Sequence, residues 1–229
     1  MTEPLRIIAI DGPAGAGKST VARTLAKQLG WVLLDTGALY RAVALAAQRD
    51  GVDWSDDPGC SKVAQGLADA AALTLEPNPE GPPVTKGTKV LLRGDDVSTA
   101  IRAPEVGMGA SRVSAFAGVR AALLDLQRQL GQRGSGVVAE GRDIGTVVFP
   151  DAPVKFFLTA SAEVRAQRRF DELTAKGVEV DFQETLDDIV DRDKRDSNRA
   201  VAPLVQADDA VLVDSSEQGL EEVVAQMLQ

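Results

Sequence analysis

A glycine-rich segment near the start of the chain lies between an apolar run and a helical pattern. Residues 12–19 read Gly-Pro-Ala-Gly-Ala-Gly-Lys-Ser, directly after the run Ile-Ile-Ala-Ile at residues 7–10. The apolar run predicts a buried strand, and the helical pattern predicts a helix that starts at the end of the segment. A strand, a glycine loop and a helix in this order constrain the chain to an α/β fold.

This segment has the full spacing of a phosphate-binding loop. Glycines let backbone N–H groups close around a polyphosphate, and the N-terminus of the following helix adds a partial positive charge. Lys18 would reach the β- and γ-phosphates of ATP, and the Ser19 hydroxyl would complete the coordination of an accompanying Mg²⁺ ion. A glycine-rich turn that binds nothing is the alternative. The predicted ATP-binding residues are Gly12, Pro13, Ala14, Gly15, Ala16, Gly17, Lys18, Ser19 and Thr20.

The composition excludes several kinds of chemistry and partner. The chain has no histidine, which removes imidazole bases and His-ligated metals, while phosphoryl transfer needs neither. The net charge of −9 argues against binding to nucleic acid or to an anionic membrane through a general basic surface. The single cysteine, Cys60, cannot form an internal disulfide and has no acid-base partner near it in sequence, so we expect an inert thiol.

The length of 229 residues fits one kinase domain over residues 1–229, with one or two insertions. No apolar run approaches the roughly 20 residues of a membrane span, and a core strand begins within six residues, which leaves no room for a signal peptide. We therefore expect a cytoplasmic protein. The acidic surface offers no evident partner face, so we expect a monomer.

Apolar periodicity predicts a doubly wound sheet of five parallel strands. The first helix should cover residues 18–29 and stop at Gly30, and the second should begin near Ala38. A final helix carries Leu220, Val223, Val224 and Met227. The predicted strands lie at residues 7–10, 31–34, 137–139, 154–158 and 210–213.

Residues 74–103 interrupt this alternation. Four prolines, at positions 77, 79, 82 and 83, precede a β-rich run at residues 89–95. We predict a small β insertion, because Val90, Leu91 and Leu92 give it apolar surface to bury; a long disordered loop is the alternative.

Residues 159–199 form a highly charged helical stretch, which we interpret as a lid that closes over the nucleotide. Helical spacing places Arg165, Arg168 and Arg169 on one face. It places Arg192, Asp196 and Arg199 on one face as well. A solvated surface with ordinary salt bridges is the alternative.

Three segments make the chain resemble the bacterial cytidylate kinases, a family of P-loop nucleoside monophosphate kinases. They are DTGALYR at residues 35–41, EGRDIGTVVFP at 140–150 and RDSNRAVAPL at 195–204. The resemblance implies transfer of the ATP γ-phosphoryl group to CMP or dCMP. It also implies that residues 74–103 are the enlarged monophosphate-binding insertion of the bacterial family.

The resemblance further implies an acceptor site. Within it, we assign Arg41 and Arg142 to the acceptor phosphate, and Arg192 with Asp196 to the sugar hydroxyls. Arg199 is assigned to either the base or the phosphate, without a choice between them. Members of the family often have Ser at Thr36 and Asp at Glu140, and both replacements keep the functional group. The implied CMP-binding residues are Thr36, Arg41, Ser111, Arg120, Arg142, Asp143, Arg192, Asp196 and Arg199, of which Ser111, Arg120 and Asp143 would read the cytosine edge.

The expected mechanism is in-line phosphoryl transfer without a protein base. Lys18 and Arg142 act as catalytic residues, and the lid residues Arg165, Arg168 and Arg169 stabilise the equatorial oxygens of the transferred group. A kinase for another acceptor is the nearest rival. A nucleotide-dependent switch is a second, disfavoured because the chain has no Asn-Lys-x-Asp segment and its Asp-x-x-Gly at residues 56–59 lies in a loop-like stretch.

Overall fold

The computed structural model describes residues 6–78, 87–175 and 177–229. It divides into two compact units. We call the first the P-loop unit, which consists of residues 1–29 and 140–229. The second, residues 30–139, contains the predicted insertion, and we call it the insertion unit.

The P-loop unit is built on parallel strands. Residues Ile8 to Asp11 of the first strand pair with Val154 to Phe157, and Phe156 to Thr159 pair with the last strand. The first strand is buried along its whole length. The elements of this unit are β1 (Ile7–Asp11), α1 (Lys18–Leu29), a π-helix (Ile144–Val148), β7 (Val154–Thr159), α6 (Ala162–Ala175), α7 (Phe182–Asn198), β8 (Val211–Asp214) and α8 (Leu220–Met227).

The insertion unit is mostly helical and carries an antiparallel sheet. Its elements are β2 (Val32–Asp35), α2 (Thr36–Arg49), α3 (Asp57–Asp69), β3 (Leu73–Asn78), β4 (Gly87–Leu92), β5 (Asp95–Asp96), a 3₁₀-helix (Ala100–Arg102), α4 (Pro104–Val113), α5 (Ala117–Leu130) and β6 (Val137–Glu140), whose last residue belongs to the P-loop unit.

The larger sheet has five strands in the order β2-β6-β1-β7-β8. Strands β1 and β2 are not adjacent in this sheet, whereas β7 and β8 are adjacent and parallel, so the chain must cross over between them, and helices α6 and α7 lie in that connection. Each predicted core strand is present within one or two residues of its expected bounds. The predicted fold class, a doubly wound five-stranded parallel sheet with a small β insertion, is confirmed.

Local signals account for the ends of the first two helices. Helix α1 covers the predicted residues and stops at Gly30, whose φ of 66° favours glycine. Helix α2 begins at Thr36, two residues before the predicted start. The reason is Asp35, whose Oδ1 accepts a hydrogen bond from the Ala38 N–H at 3.1 Å and caps the helix at the end of the strand itself.

Helix α3 corrects one prediction. The sequence around residues 56–59 was expected to be loop-like, but a helix of 13 residues starts at Asp57. Asp56 caps it by accepting a hydrogen bond from the Gly59 N–H at 3.0 Å, and Pro58 stands in its first turn, where no N–H is needed. The two glycines in this helix lower its helix propensity, so propensity alone did not predict it. Cys60 is buried in it, and burial together with Asp56 and Asp53 raises the pKa of the thiol, as an inert cysteine requires.

The β insertion is confirmed where the structure describes it. Strands β3, β4 and β5 form an antiparallel sheet, with Leu73 opposite Leu92 and Leu75 opposite Val90. These four side chains are buried, so Val90 and Leu92 supply apolar surface as predicted, whereas Leu91 is only partly buried and strand β3 adds Leu73 and Leu75. The prolines predicted for the loop at positions 79, 82 and 83 lie outside the described residues. Across the described ranges, no helix is both long and apolar enough to cross a membrane.

Candidate active site

Glycine is required at the first position of the predicted phosphate loop. Gly12 has a φ of 147°, and a Cβ atom there would lie 1.9 Å from the Leu158 carbonyl oxygen. The loop therefore leaves β1 in direct contact with the backbone of β7, and no other residue can make that exit without moving the sheet.

Lys18 begins α1 and is buried. Its Nζ donates a hydrogen bond to the Pro13 carbonyl at 2.6 Å, so the side chain folds back over its own loop. Burial lowers its pKa well below the usual range, and the positive charge of Arg142 adds to this, while Glu140 and Asp11 oppose it. A polyphosphate placed here would supply the negative charge that favours the protonated lysine.

Asp11, the last residue of β1, is buried at the same place. Its Oδ1 accepts a hydrogen bond from the Ile144 N–H at 2.8 Å, and its Oδ2 accepts one from the Gly145 N–H at 2.7 Å. Burial raises its pKa from 3.8 to about 6 in spite of these two donors. Sequence reasoning missed this residue, although an acidic side chain at the end of an otherwise apolar strand was a visible signal.

Arg142 and Asp196 form an ion pair between the loop after β6 and helix α7. Arg142 Nε lies 2.8 Å from Asp196 Oδ2, and the aspartate side chain is 7% exposed. Burial alone would raise the pKa of Asp196, but Arg142, with help from Arg192 and Arg199, outweighs burial and lowers it. Asp196 is therefore an ionised acceptor at neutral pH.

Two more of the predicted acceptor residues form a second ion pair beside the first. Arg199 Nη2 lies 3.4 Å from Asp143 Oδ1, both side chains are buried, and Arg199 Nε also donates to the Ala202 carbonyl. The P-loop unit thus brings together all five of its predicted acceptor residues, which are Arg142, Asp143, Arg192, Asp196 and Arg199.

Arg165 of α6 is fixed against the phosphate loop. It donates to the Ala160 carbonyl at 2.8 Å and to the Ala14 carbonyl at 3.1 Å, and it pairs with Asp193 of α7 at 2.7 Å. Its side chain is only 6% exposed. Asp193 was missed in the sequence because it is one of many acidic residues in that helix.

Arg168 reaches the loop through one intermediary. It donates to the Ser215 hydroxyl at 3.1 Å and to the Ser215 carbonyl at 2.6 Å, and that hydroxyl has two acceptors within reach, the Thr159 carbonyl at 3.0 Å and the Ala16 carbonyl of the loop at 3.3 Å. Arg169 does not join the other two. Its side chain is 39% exposed and pairs with Glu172 one turn along the helix at 2.9 Å. Helical spacing put the three arginines on one side of α6, but only two of them point to the loop.

In the insertion unit, charged side chains lie close together where β2 ends and α2 begins. Arg102 Nη2 lies 2.7 Å from Asp35 Oδ2. Burial would raise the pKa of Asp35, but Arg102 and then Arg41 lower it, so the carboxylate is ionised. Arg102 was missed because it lies 67 residues from Asp35 and carries no motif of its own. Thr36, the first residue of α2, is buried next to this pair.

The predicted base-reading residues of the same unit differ in how they are held. Arg120 donates to the Ser114 carbonyl at 3.0 Å, and its guanidinium lies 5.4 Å from the centre of the Tyr40 ring. The Ser111 hydroxyl is buried and finds no hydrogen-bond partner among the described residues. A buried hydroxyl without a partner is costly, so this one is suited to a ligand.

Solved structures with similar folds include kinases at low sequence identity. A gluconokinase from Sinorhizobium meliloti is 16% identical, with 99% of this chain and 91% of that chain covered and a TM-score of 0.47. A shikimate kinase from Acinetobacter baumannii, solved in complex with shikimate, is 17% identical, with 99% and 93% covered and a TM-score of 0.39.

The family comparison is far more specific. The family model for cytidylate kinase matches residues 8–229. A cytidylate kinase from Citrifermentans bemidjiense is 50% identical over 96% of this chain and 90% of its own length. One from Pseudomonas paraeruginosa is 50% identical over 98% of this chain and 94% of its own length. These matches cover both units, and the chain belongs to the cytidylate kinase family.

Proposed function

We propose that the protein transfers the γ-phosphoryl group of ATP to CMP or dCMP, giving ADP and CDP or dCDP. One observation carries the proposal beyond family membership. The buried lysine of a complete phosphate loop lies within electrostatic reach of Arg142, whose partner is an ionised buried aspartate. Buried positive charges this close to one another repel, and anionic ligands are suited to neutralise them.

The donor would bind on residues 12–20. Lys18, which now donates to its own loop, would exchange that carbonyl for phosphate oxygens. A cavity of about 630 Å³ in the same unit is lined by Asp214, Ser216, Glu217, Gln218 and Glu222. Ser215, which lies in the chain between the lining residues Asp214 and Ser216, is hydrogen-bonded to the loop carbonyl of Ala16, and we assign this cavity to the donor nucleoside.

The residues present fit a Mg²⁺ ion that arrives with ATP. No group of three or more acidic, cysteine or histidine side chains is placed to hold a metal in the part of the chain that the structure describes. Mg²⁺ bound with a nucleotide keeps most of its water and takes phosphate oxygens, so it needs few protein ligands. The Ser19 hydroxyl, exposed at the start of α1, is the ligand we assign. When bound, the ion neutralises charge on the β- and γ-phosphates.

The acceptor roles keep the division that the resemblance implies. In the P-loop unit, Arg142 would bind the acceptor phosphate, Arg192 and Asp196 the sugar, and Asp143 the base, with Arg199 between base and phosphate. The ionised state of Asp196 supports its role as an acceptor for hydroxyl groups. In the insertion unit, Thr36, Arg41, Ser111 and Arg120 keep their implied roles, and the buried Ser111 hydroxyl supports a polar ligand there.

No protein base is required, because the acceptor phosphate is already ionised near pH 7 and its oxygen can attack directly. Stabilisation of the equatorial oxygens is assigned to Lys18, Arg142 and the lid arginines. Arg165 and Arg168 have the stronger support, since both are bound to the loop or its neighbour. The role of Arg169 stays a prediction from the sequence, because its side chain pairs with Glu172.

The test is ADP release with ATP and Mg²⁺ fixed while the acceptor is varied among CMP, dCMP, UMP, AMP, GMP and none. We expect strong turnover with CMP and dCMP, much weaker turnover with the others, and almost none without acceptor. A preference for another base would contradict the assignment of Ser111, Arg120 and Asp143. ADP release that does not depend on the acceptor would contradict the kinase reaction itself.

A further inference from the structure

We propose that Asp11 is a positioning residue for phosphoryl transfer, because its carboxylate fixes the backbone segment that carries Arg142 to the start of the phosphate loop. This rests on the proposed function. Asp11 would touch neither nucleotide, so it is not a catalytic residue in the strict sense. Its effect would pass through the placement of Arg142.

The chain is bound to the end of β1 on both sides of Arg142. On one side, the Gly141 N–H donates to the Ile10 carbonyl at 3.0 Å. On the other side, the Ile144 and Gly145 N–H groups donate to the two oxygens of Asp11. Gly12, the first residue of the phosphate loop, follows Asp11 directly. These three hydrogen bonds therefore restrain the backbone on both sides of Arg142 relative to the start of the loop.

Asp11 also supplies the hydrogen-bond acceptors that the residue just before the π-helix does not supply. The π-helix Ile144–Val148 begins after Asp143, whose side chain makes no capping hydrogen bond to it. Asp143 pairs instead with Arg199. The first N–H groups of the turn are satisfied by Asp11, 133 residues away, so the Asp143 side chain is not needed as their acceptor. Single π-turns of this kind are common at functional sites.

The carboxylate lies close against the backbone turn that it binds. A Cβ atom on Gly145 would lie 3.4 Å from Asp11 Oδ2 and 3.1 Å from the Lys155 side chain, so backbone and carboxylate are in close contact. Both oxygens are occupied by short hydrogen bonds. The charged groups that act on Asp11 are Lys18, which favours its ionised form, and Asp143, which opposes it. This arrangement suits a fixed tether and not a group that exchanges protons with substrate.

A double-mutant cycle between Asp11→Asn and Arg142→Ala tests the proposal. Asparagine offers only one acceptor to the two N–H groups, so we expect kcat with CMP to fall by about 10-fold or more. The affinity for ATP in the absence of CMP should stay within about 3-fold. In the Arg142→Ala background, the same substitution should cost no more than about 2-fold, because the residue that Asp11 positions is already gone. Equal losses in both backgrounds, or no loss of kcat in the single variant, would overturn the proposal.

Two controls separate positioning from stability and from the choice of reaction. Val223→Ala removes buried volume from α8 of the same unit, so it should lower the melting temperature and leave kcat within about 2-fold. If Asp11→Asn does not fold, Asp11→Glu replaces it in the double-mutant cycle. Glutamate keeps both acceptor oxygens and displaces them by one methylene. We expect a smaller loss of kcat than for Asp11→Asn, with the same non-additivity. A wild-type protein that does not phosphorylate CMP would contradict the proposed function, whereas an active wild type with additive losses would contradict only the role of Asp11.

Discussion

Ion pairs from the two units differ in how far water reaches them, although each unit holds both buried and exposed charged side chains. In the P-loop unit, the pair Arg199 and Asp143 is 5% and 6% exposed, and Arg142 and Asp196 are 19% and 7% exposed. In the insertion unit, Arg93 pairs with Asp50 at a shorter distance of 2.5 Å. The side chains of this pair are 47% and 32% exposed. Geometry alone would rank the exposed pair as the stronger interaction.

Burial reverses that ranking. Water and salt screen an exposed pair, which contributes about 0–1 kcal/mol to stability. A buried charge that loses its partner costs several times more, because it has been taken out of water. Under the proposed function, the buried charges of the P-loop unit serve ligand binding and the exposed pair of Arg93 and Asp50 does not.

Lys18→Ala should have the largest effect. It removes the lysine of the phosphate loop, so turnover should fall to near the limit of detection while the protein still melts cooperatively. Lys27→Ala, an exposed lysine of the same helix, is the matched control and should keep the wild-type rate. Unchanged steady-state turnover in Lys18→Ala would remove the loop from the mechanism.

Arg142→Ala should reduce kcat/KM for CMP by about 10³-fold or more, which corresponds to at least about 4 kcal/mol of transition-state stabilisation. It should also destabilise the protein, because Asp196 loses its closest partner. The comparison variant is Arg93→Ala in the insertion unit, for which we expect turnover within a few-fold of wild type. Similar activities for the two variants would contradict the contrast between buried and exposed arginines.

Asp11→Asn should change how stability depends on pH. The folded-state pKa of Asp11 is about 6, above its ordinary 3.8, so its contribution to folding is full below pH 3.8 and is lost as the pH rises through 6. Between pH 4.5 and 7.5 the wild type should lose about 2 kcal/mol from this group, a loss that the asparagine variant lacks. Urea unfolding of both proteins at several pH values measures the difference. Parallel curves would show that Asp11 does not titrate in this range.

Asp50→Ala should have the smallest effect. It breaks the pair with Arg93, which lowers the pKa of Asp50 but is open to solvent. We expect a change in unfolding free energy of no more than about 1 kcal/mol and no change in kcat. Urea unfolding at low and high salt measures this change. A loss of several kcal/mol would contradict the expectation that an exposed ion pair contributes little to stability.

Short-range signals in the sequence predicted most of the fold. Strand β1, the phosphate loop and helix α1 follow one another within 25 residues, and each has a local signature in apolar period, glycine spacing or a terminating glycine. Helix α3 escaped because its own glycines weaken its propensity, while its cap at Asp56 can be recognised only once the helix is known.

The candidate site was less predictable, because its contacts join distant residues. Asp11 meets Ile144, and Asp35 meets Arg102, at separations of 133 and 67 residues that no local pattern encodes. The acceptor residues came from resemblance to a family, and helical spacing alone did not show that the Arg169 side chain pairs with Glu172. Spacing places a Cα atom on a helix face, but the nearest available partner decides where a long side chain goes.

The most direct test follows the transferred group itself. ATP labelled at the γ-phosphate is incubated with Mg²⁺ and CMP, and the products are separated, with Lys18→Ala as the inactive control. We predict that the label appears in CDP, in an amount equal to the ADP formed, and only with the wild-type protein. Label recovered as inorganic phosphate, with or without CMP, would show a hydrolase and contradict the account.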